Sequence, residues 1–351
     1  MSIFKSHLYA LAAYKPPLEG RDPHSHTLLD FNERTIPVSA PIRQALIDYI
    51  QSDRLQMYPA YGDIVERLAA YCTVSPSQLM ITNGSDQGIE LLFRACGQGG
   101  GEAIIPAPNF AMYSQCAQVE GMAIVAPHYT SENGLPVAEI LSAISDKTRI
   151  ICIANPNNPS GVGVARDAIV SIAQAAPNVC VLVDECYFEY SRTTVVDLVE
   201  QYPNIVVTRT FSKTWGIPSL RFGYLIACEK NISALLSVRG PYDINQLAVV
   251  AAQAALENPE YTEKYVAEVM QVSKPLLEKY FDAKGVVYWP SEANYLWAFP
   301  QNPDHIEAAL RANKILVRPK QDADGEMGLR ITIGTQEQTE NLMAVLDKCL
   351  V

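Results

Sequence analysis

The sequence predicts an α/β protein: a large domain with a mixed, mostly parallel sheet flanked by helices, followed by a smaller α+β domain. Two observations predict this. Through the middle of the chain, short β-rich apolar runs alternate with helical patterns, the rhythm of strand–helix–strand units whose strands lie side by side and parallel. Near Pro241 that rhythm stops, and long helical patterns with scattered short strands take over. The length of 351 residues also exceeds what one small core organises. We expect an N-terminal segment at 1–30, the large domain at 31–245 and the small domain at 246–351.

The first strand is expected at Leu79–Thr82, an apolar run that ends in the turn Asn83-Gly84-Ser85-Asp86, with a helix over 87–95. Further strands are expected at 103–106, 149–154, 179–183, 205–208 and 222–228. Polar clusters follow several of them: Asn155-Pro156-Asn157-Asn158-Pro159, Asp184-Glu185 and Ser212-Lys213. Ligands of such sheets bind beyond the carboxyl ends of the strands, so these turns are candidates for chemistry. In the smaller unit the pattern predicts helices at 244–257 and 261–280 and strands at 286–288 and 295–299. A helix at 305–313, strands at 316–318 and 329–333 and a closing helix at 337–350 complete it. The first thirty or so residues show no clear period and are expected to pack across the junction of the two units.

Composition narrows the function. Hydrophobic residues make up 48% and charged residues 19%, with a net charge of −11. That acidity argues against a nucleic-acid or anionic-membrane surface, either of which needs clustered Lys and Arg. It leaves room for an anionic small molecule, since a few buried arginines set the local field. The eight cysteines form no C-x-x-C pair and several sit in apolar runs. They read as reduced thiols of a cytoplasmic protein, with no metal site and no disulfide framework. No apolar run approaches the ~18 residues of a membrane helix, and the N-terminus lacks a signal-peptide stretch.

The segment with the most chemistry runs from Thr210 through Ser212, Lys213 and Arg221 to Tyr224. The hydroxyls and the arginine are what a bound phosphate needs. A lysine beside that phosphate can form an imine with a cofactor aldehyde. The segment resembles the lysine motif of the class I/II (fold type I) aminotransferases, which use pyridoxal 5′-phosphate. The likeness is greatest to the histidinol-phosphate aminotransferase branch, with its pattern Ser-Lys-x-x-Gly-x-x-x-x-Arg-x-Gly, and it extends from about residue 30 to the end.

The resemblance implies roles for separated motifs. Lys213 would hold the cofactor and move the proton. Asp184, in Val-Asp-Glu-Cys-Tyr, would pair with the protonated ring nitrogen, and Tyr187 would hydrogen-bond the ring oxygen. Within Asn155-Pro156-Asn157-Asn158-Pro159-Ser160-Gly161, Asn158 would donate to the same oxygen, with Asn157 as the alternative and a cis bond before Pro159. Ser85 and Asp86, at a glycine-containing turn opening a helix, would grip the phosphate together with Thr210, Ser212 and Arg221. Phe110 would stack on the ring. Tyr58, in Tyr-Pro, would reach the phosphate of the other subunit, which implies a homodimer with shared active sites. Arg330, in Leu-Arg-Ile-Thr-Ile-Gly, and Arg318 would clamp the substrate anion. For Glu185 the expectation is a structural ion pair.

The resemblance implies transamination of histidinol phosphate or a related amino acid, with 2-oxoglutarate as acceptor. Decarboxylation of a phosphorylated amino acid, as in threonine-phosphate decarboxylases, and aromatic amino acid transamination are the alternatives. One stretch departs from the branch. Where it carries Asn-Glu-Asn-Pro-x-Gly-Pro, this chain has Asn32-Glu33-Arg34-Thr35-Ile36-Pro37-Val38. Arg34 is expected to pair with an acid at the surface, a substrate cation being the other reading.

Overall fold

The computed structural model describes residues 3–13, 15, 17–97 and 100–350. Residues 1, 2, 14 and 16 of the expected N-terminal segment, 98 and 99 of the large unit and 351 of the smaller one lie outside the described residues. The main sheet has seven strands: β1 (Leu79–Thr82), β2 (Glu102–Ile104), β3 (Ala123–Val125), β4 (Thr148–Ala154), β5 (Cys180–Asp184), β6 (Ile205–Thr210) and β7 (Gly223–Ile226). Their spatial order is β1-β7-β6-β5-β4-β2-β3. Strands β2 to β6 pair in parallel, and β7 is antiparallel to both β6 and β1.

The central strands are buried on both faces, as their near-continuous Val/Ile/Leu sequences require. Side chains alternate between two cores. Ile151, Ile153, Val181, Val183, Ile205 and Val207 face one cluster, and Ile150, Cys152, Leu182 and Val206 face the other. Helix Gly84–Cys96 covers the second face with Ile89, Leu92 and Phe93. Helix Gln246–Glu257, the first element after the junction read from sequence, packs Ala248, Val249 and Ala252 into the first core. Strand β3 lacks a sequence signal because it is an edge: Ala123 is exposed and its neighbours are half-buried.

A second sheet contains β8 (Val287–Trp289), β9 (Tyr295–Phe299), β10 (Arg318–Gln321) and β11 (Met327–Thr332), antiparallel in the order β10-β11-β9-β8. The strand expected at 316–318 is divided. Ile315–Leu316 pairs in parallel with Thr27–Leu28, and Arg318 opens β10. The N-terminal segment therefore touches both units, since Lys5 also meets Glu120 on the large one at 2.9 Å. The helix expected over 261–280 is interrupted by a π-helical turn, Val269–Ser273, between Glu260–Glu268 and Lys274–Lys284. Pro275 lacks the N–H that a regular turn would use there, and the wider turn accommodates it.

Candidate active site

Beyond the carboxyl ends of β4, β5 and β6 lies a cavity of about 180 Å³. Ten of the thirteen residues expected at the site line it: Ser85, Asp86, Phe110, Asn158, Asp184, Tyr187, Thr210, Ser212, Lys213 and Arg221. Arg318 and Arg330 line an adjoining pocket that shares Phe31, Phe110, Asn158 and Lys213 with it. Tyr58 is not brought to the site of its own chain. It is 78% exposed, stacks on Tyr242 at 4.6 Å, and lies with Tyr49 and Arg54 in a separate depression.

Asp184 ends β5, so the strand itself delivers its carboxylate to the cavity. Its Oδ1 accepts from the Cys186 backbone N–H at 3.0 Å, and its Oδ2 accepts from the Tyr113 hydroxyl. Burial pushes the Asp184 carboxyl above its ordinary value, while these hydrogen bonds act the other way. Among the described residues no cation pairs with it. An enclosed carboxylate with neutral donors only is complemented by a cationic ring nitrogen.

Lys213 follows β6 by three residues. Its Nζ donates to the Phe31 carbonyl at 2.9 Å and stands 5.9 Å from the Tyr187 ring centre. Burial and the nearby Arg330 cation lower its pKa to about 8. The next two residues are pinned. The Thr214 carbonyl accepts from Arg34, and the Thr214 hydroxyl and Trp215 indole N–H both donate to the buried Glu189 at 3.1 Å.

At the other end, Arg221 Nη2 meets Asp86 at 2.9 Å, and its Nη1 donates to Ser212 Oγ at 3.3 Å. Gly84, at φ +74°, lets the helix turn pass close to this guanidinium. A Cβ on Gly84 would stand 2.4 Å from Arg221 Nη2. The helix N-terminus, Ser85, Ser212 and Arg221 together form a donor set for a phosphate. The Asp86 side chain accepts from Arg221, and at the same turn Gln87 Oε1 accepts from the Asn83 backbone N–H at 2.7 Å.

The two asparagine readings separate. Asn157 is buried and donates to the Pro108 carbonyl and to Ser160, whereas Asn158 lines the cavity and accepts from Arg330 Nη1 at 2.6 Å. The bonds before Pro156 and Pro159 are both cis, the second as the sequence predicts. Arg330 Nη2 donates to the Asp30 carbonyl at 2.6 Å, while its buried Nε has no partner among the described residues. Glu185 makes the expected ion pair, 2.8 Å from Arg209 and wholly buried.

Sequence reasoning misplaced Arg34. It is 8% exposed, lies over the Tyr261 and Tyr265 rings and donates to Thr214 and Thr262; it neither faces solvent nor lines the cavity. The tyrosines of helix Glu260–Glu268 supply the aromatic faces that make this burial tolerable. Sequence reasoning also missed Tyr113, Asn32 and Lys320. Tyr113 stands three residues after Phe110 at helical spacing and meets its ring edge-on, which was the available signal. Asn32 donates to the Tyr187 hydroxyl at 2.9 Å across the chain; it matches the first residue of the branch's Asn-Glu-Asn-Pro stretch, the signal that could have found it.

The pattern for aminotransferase class I and II matches residues 27–346. The chain belongs to the class I and II aminotransferases. The histidinol-phosphate aminotransferase 1 of Trichormus variabilis is 32% identical over 350 residues, covering 98% of this chain and 97% of that one. The histidinol-phosphate aminotransferase 2 of Hydrogenovibrio crunogenus is 35% identical over 318 residues, covering 87% and 84%. In fold, the chain is similar to the histidinol-phosphate aminotransferase of Sinorhizobium meliloti, solved with pyridoxal 5′-phosphate. The TM-score is 0.89 at 20% identity, covering 100% of this chain and 98% of that one. This aminotransferase is a pyridoxal 5′-phosphate enzyme, and its cavity fits the group: an unpaired carboxylate at one wall, a phosphate donor set at one end and a lysine between them. Among its described residues no helix is long and apolar enough to cross a membrane.

Proposed function

We propose that this aminotransferase takes the amino group from histidinol phosphate, or a closely related donor bearing an anionic group, and passes it to an oxo acid such as 2-oxoglutarate. One observation carries the reading: Lys213, Asp184 and Arg221 line one cavity, and Arg330 opens into the pocket joined to it with its Nε unpartnered. Bound there, pyridoxal 5′-phosphate supplies an aldehyde and a cationic ring that draws electrons from the carbon bearing the amine.

The chain's own residues do the rest. Asp184 would hold the proton on the ring nitrogen, and Tyr113 and the Cys186 N–H orient its two oxygens. Tyr187 and Asn158 would serve the ring oxygen, and Phe110 the ring face; all three line the cavity. Ser85, Asp86, Thr210, Ser212 and Arg221 hold the phosphate end. Lys213 Nζ would take the proton from the donor Cα and return it; its pKa near 8 suits such a group. Arg330 and Arg318 hold the donor's anionic group. Tyr58, so exposed on its own chain, is suited to a second subunit's phosphate, which makes the working unit a homodimer. Eight free cysteines fit a reducing compartment, the cytoplasm.

A panel of donors tests this. With histidinol phosphate, the holoprotein should lose its long-wavelength cofactor absorbance and regain it, forming glutamate, when 2-oxoglutarate is added. Release of carbon dioxide from the donor, or no response to histidinol phosphate alongside a rapid one to aromatic amino acids, would sink the reading.

A further inference from the structure

The pocket beside the cofactor cavity holds more positive charge than a carboxylate needs. Arg318 and Lys320 alternate along β10, so both fall on one face of the strand. Across the ladder Arg318 stands opposite Arg330, and Lys320 stands opposite Gly328, which has no side chain to obstruct it. Like charges facing each other across two strands destabilise the pairing. No carboxylate answers them: among the described residues the lining is two phenylalanines, two asparagines, Ala111 and four cations, and none of Arg318, Lys320 or Arg330 makes an ion pair. Burial, with Arg330 and Arg318 alongside, pushes the Lys320 ammonium down to about 8. Such a cluster is stabilised by an incoming anion of more than one charge.

Resting on the reading that the donor carries an anion, we propose that Lys320 is a specificity-determining residue, a third cation that selects a phosphate monoester over a carboxylate at the substrate end. One guanidinium satisfies a carboxylate, whose two oxygens match its fork. A phosphate monoester brings nearly two charges and three terminal oxygens at neutral pH. Arg330 and Arg318 cover part of that demand, and Lys320 adds a mobile ammonium with three donors at the remaining side.

The test uses holoenzyme, in which the cofactor already fills its own phosphate site. Inorganic phosphate and acetate serve as competitive inhibitors against whichever donor the wild type turns over. Lys320→Met should weaken inhibition by phosphate about tenfold, the loss of one charge-assisted hydrogen bond. Inhibition by acetate should weaken less than about threefold. Lys320→Arg should return the phosphate value to within about threefold of wild type, because it keeps the charge. With histidinol phosphate as donor, Lys320→Met should raise KM and leave kcat nearly level. Equal weakening of phosphate and acetate, or no weakening of either, overturns the proposal. Because the inhibition measurement uses any working donor, it stands apart from the donor panel: a wild type that rejects histidinol phosphate but discriminates through Lys320 fails only the panel, and one that accepts it without that discrimination fails only the inhibition test.

Discussion

At the cofactor end of the cavity, Arg221 meets Asp86 at 2.9 Å, and the Asp184 carboxylate takes hydrogen bonds from Tyr113 and the Cys186 N–H. At the substrate end, Arg318 and Lys320 have no carboxylate partner among the described residues, and Arg330 rests on the Asn158 side chain and the Asp30 carbonyl. The first region is organised by its own short hydrogen bonds, which tie a strand end to the helices and the backbone beside it. The second keeps its charge uncompensated. That difference suits a group that stays through many turnovers against one that leaves in each. It also predicts which substitutions stop the chemistry and which change only the choice of substrate.

The largest effect should come from Lys213, the one cation that lines both pockets. Lys213→Ala should lower kcat by about 10²–10⁴-fold, the range for loss of a positioned acid–base group. Borohydride should then fix no cofactor onto the chain. Full turnover in this variant would break the assignment at both ends at once.

Arg330 comes next, because it links the ends electrostatically. Arg330→Met should raise the donor KM about tenfold or more, since a bidentate cation is lost from the anion pocket. It should also relax Lys213. Arg330 helps lower the Lys213 pKa to about 8, so removing that cation moves the pKa upward, toward the ordinary lysine value. Only the neutral amine attacks an aldehyde. Uptake of pyridoxal phosphate by the apoprotein should therefore rise with pH through about 8 in the wild type, and through a higher pH in the variant. Identical uptake profiles would show that the two ends are electrically independent.

How much of this was legible in the sequence follows the same division. The cofactor end was legible because its residues come in short motifs at strand ends: Asp184 closes β5, and Lys213 follows β6. The parallel sheet was legible because β4, β5 and β6 are buried on both faces and read as unbroken apolar runs. Edge strand β3, half-exposed, gave no such run. Arg34 was misread because its partners Tyr261 and Tyr265 lie more than two hundred residues away, and a lone arginine in a turn reads as solvated. Lys320 went unnoticed for a related reason. Its meaning depends on β10 and β11 setting Arg318 opposite Arg330, a register that composition does not reveal.

The smallest expected effect is the one that most sharpens the contrast. Tyr113 touches Asp184 through a single hydroxyl, and burial together with that carboxylate raises the Tyr113 pKa, so it stays a neutral donor at working pH. Tyr113→Phe keeps the ring against Phe110 and deletes only that donor. One hydrogen bond to a charged group is worth about 1.5–3 kcal/mol at most when fully lost. Here the Cys186 N–H remains and the ring nitrogen is a stronger partner, so kcat should fall only a few-fold. The donor KM should be unmoved, because Tyr113 lies outside the lining of the anion pocket. The position of the cofactor absorbance should shift with pH more readily than in the wild type, since the carboxylate holding the ring proton has lost one of its two supports. A change in KM as large as that in kcat would mean that the two ends of the cavity are not separately built, and the contrast between them would have to be given up.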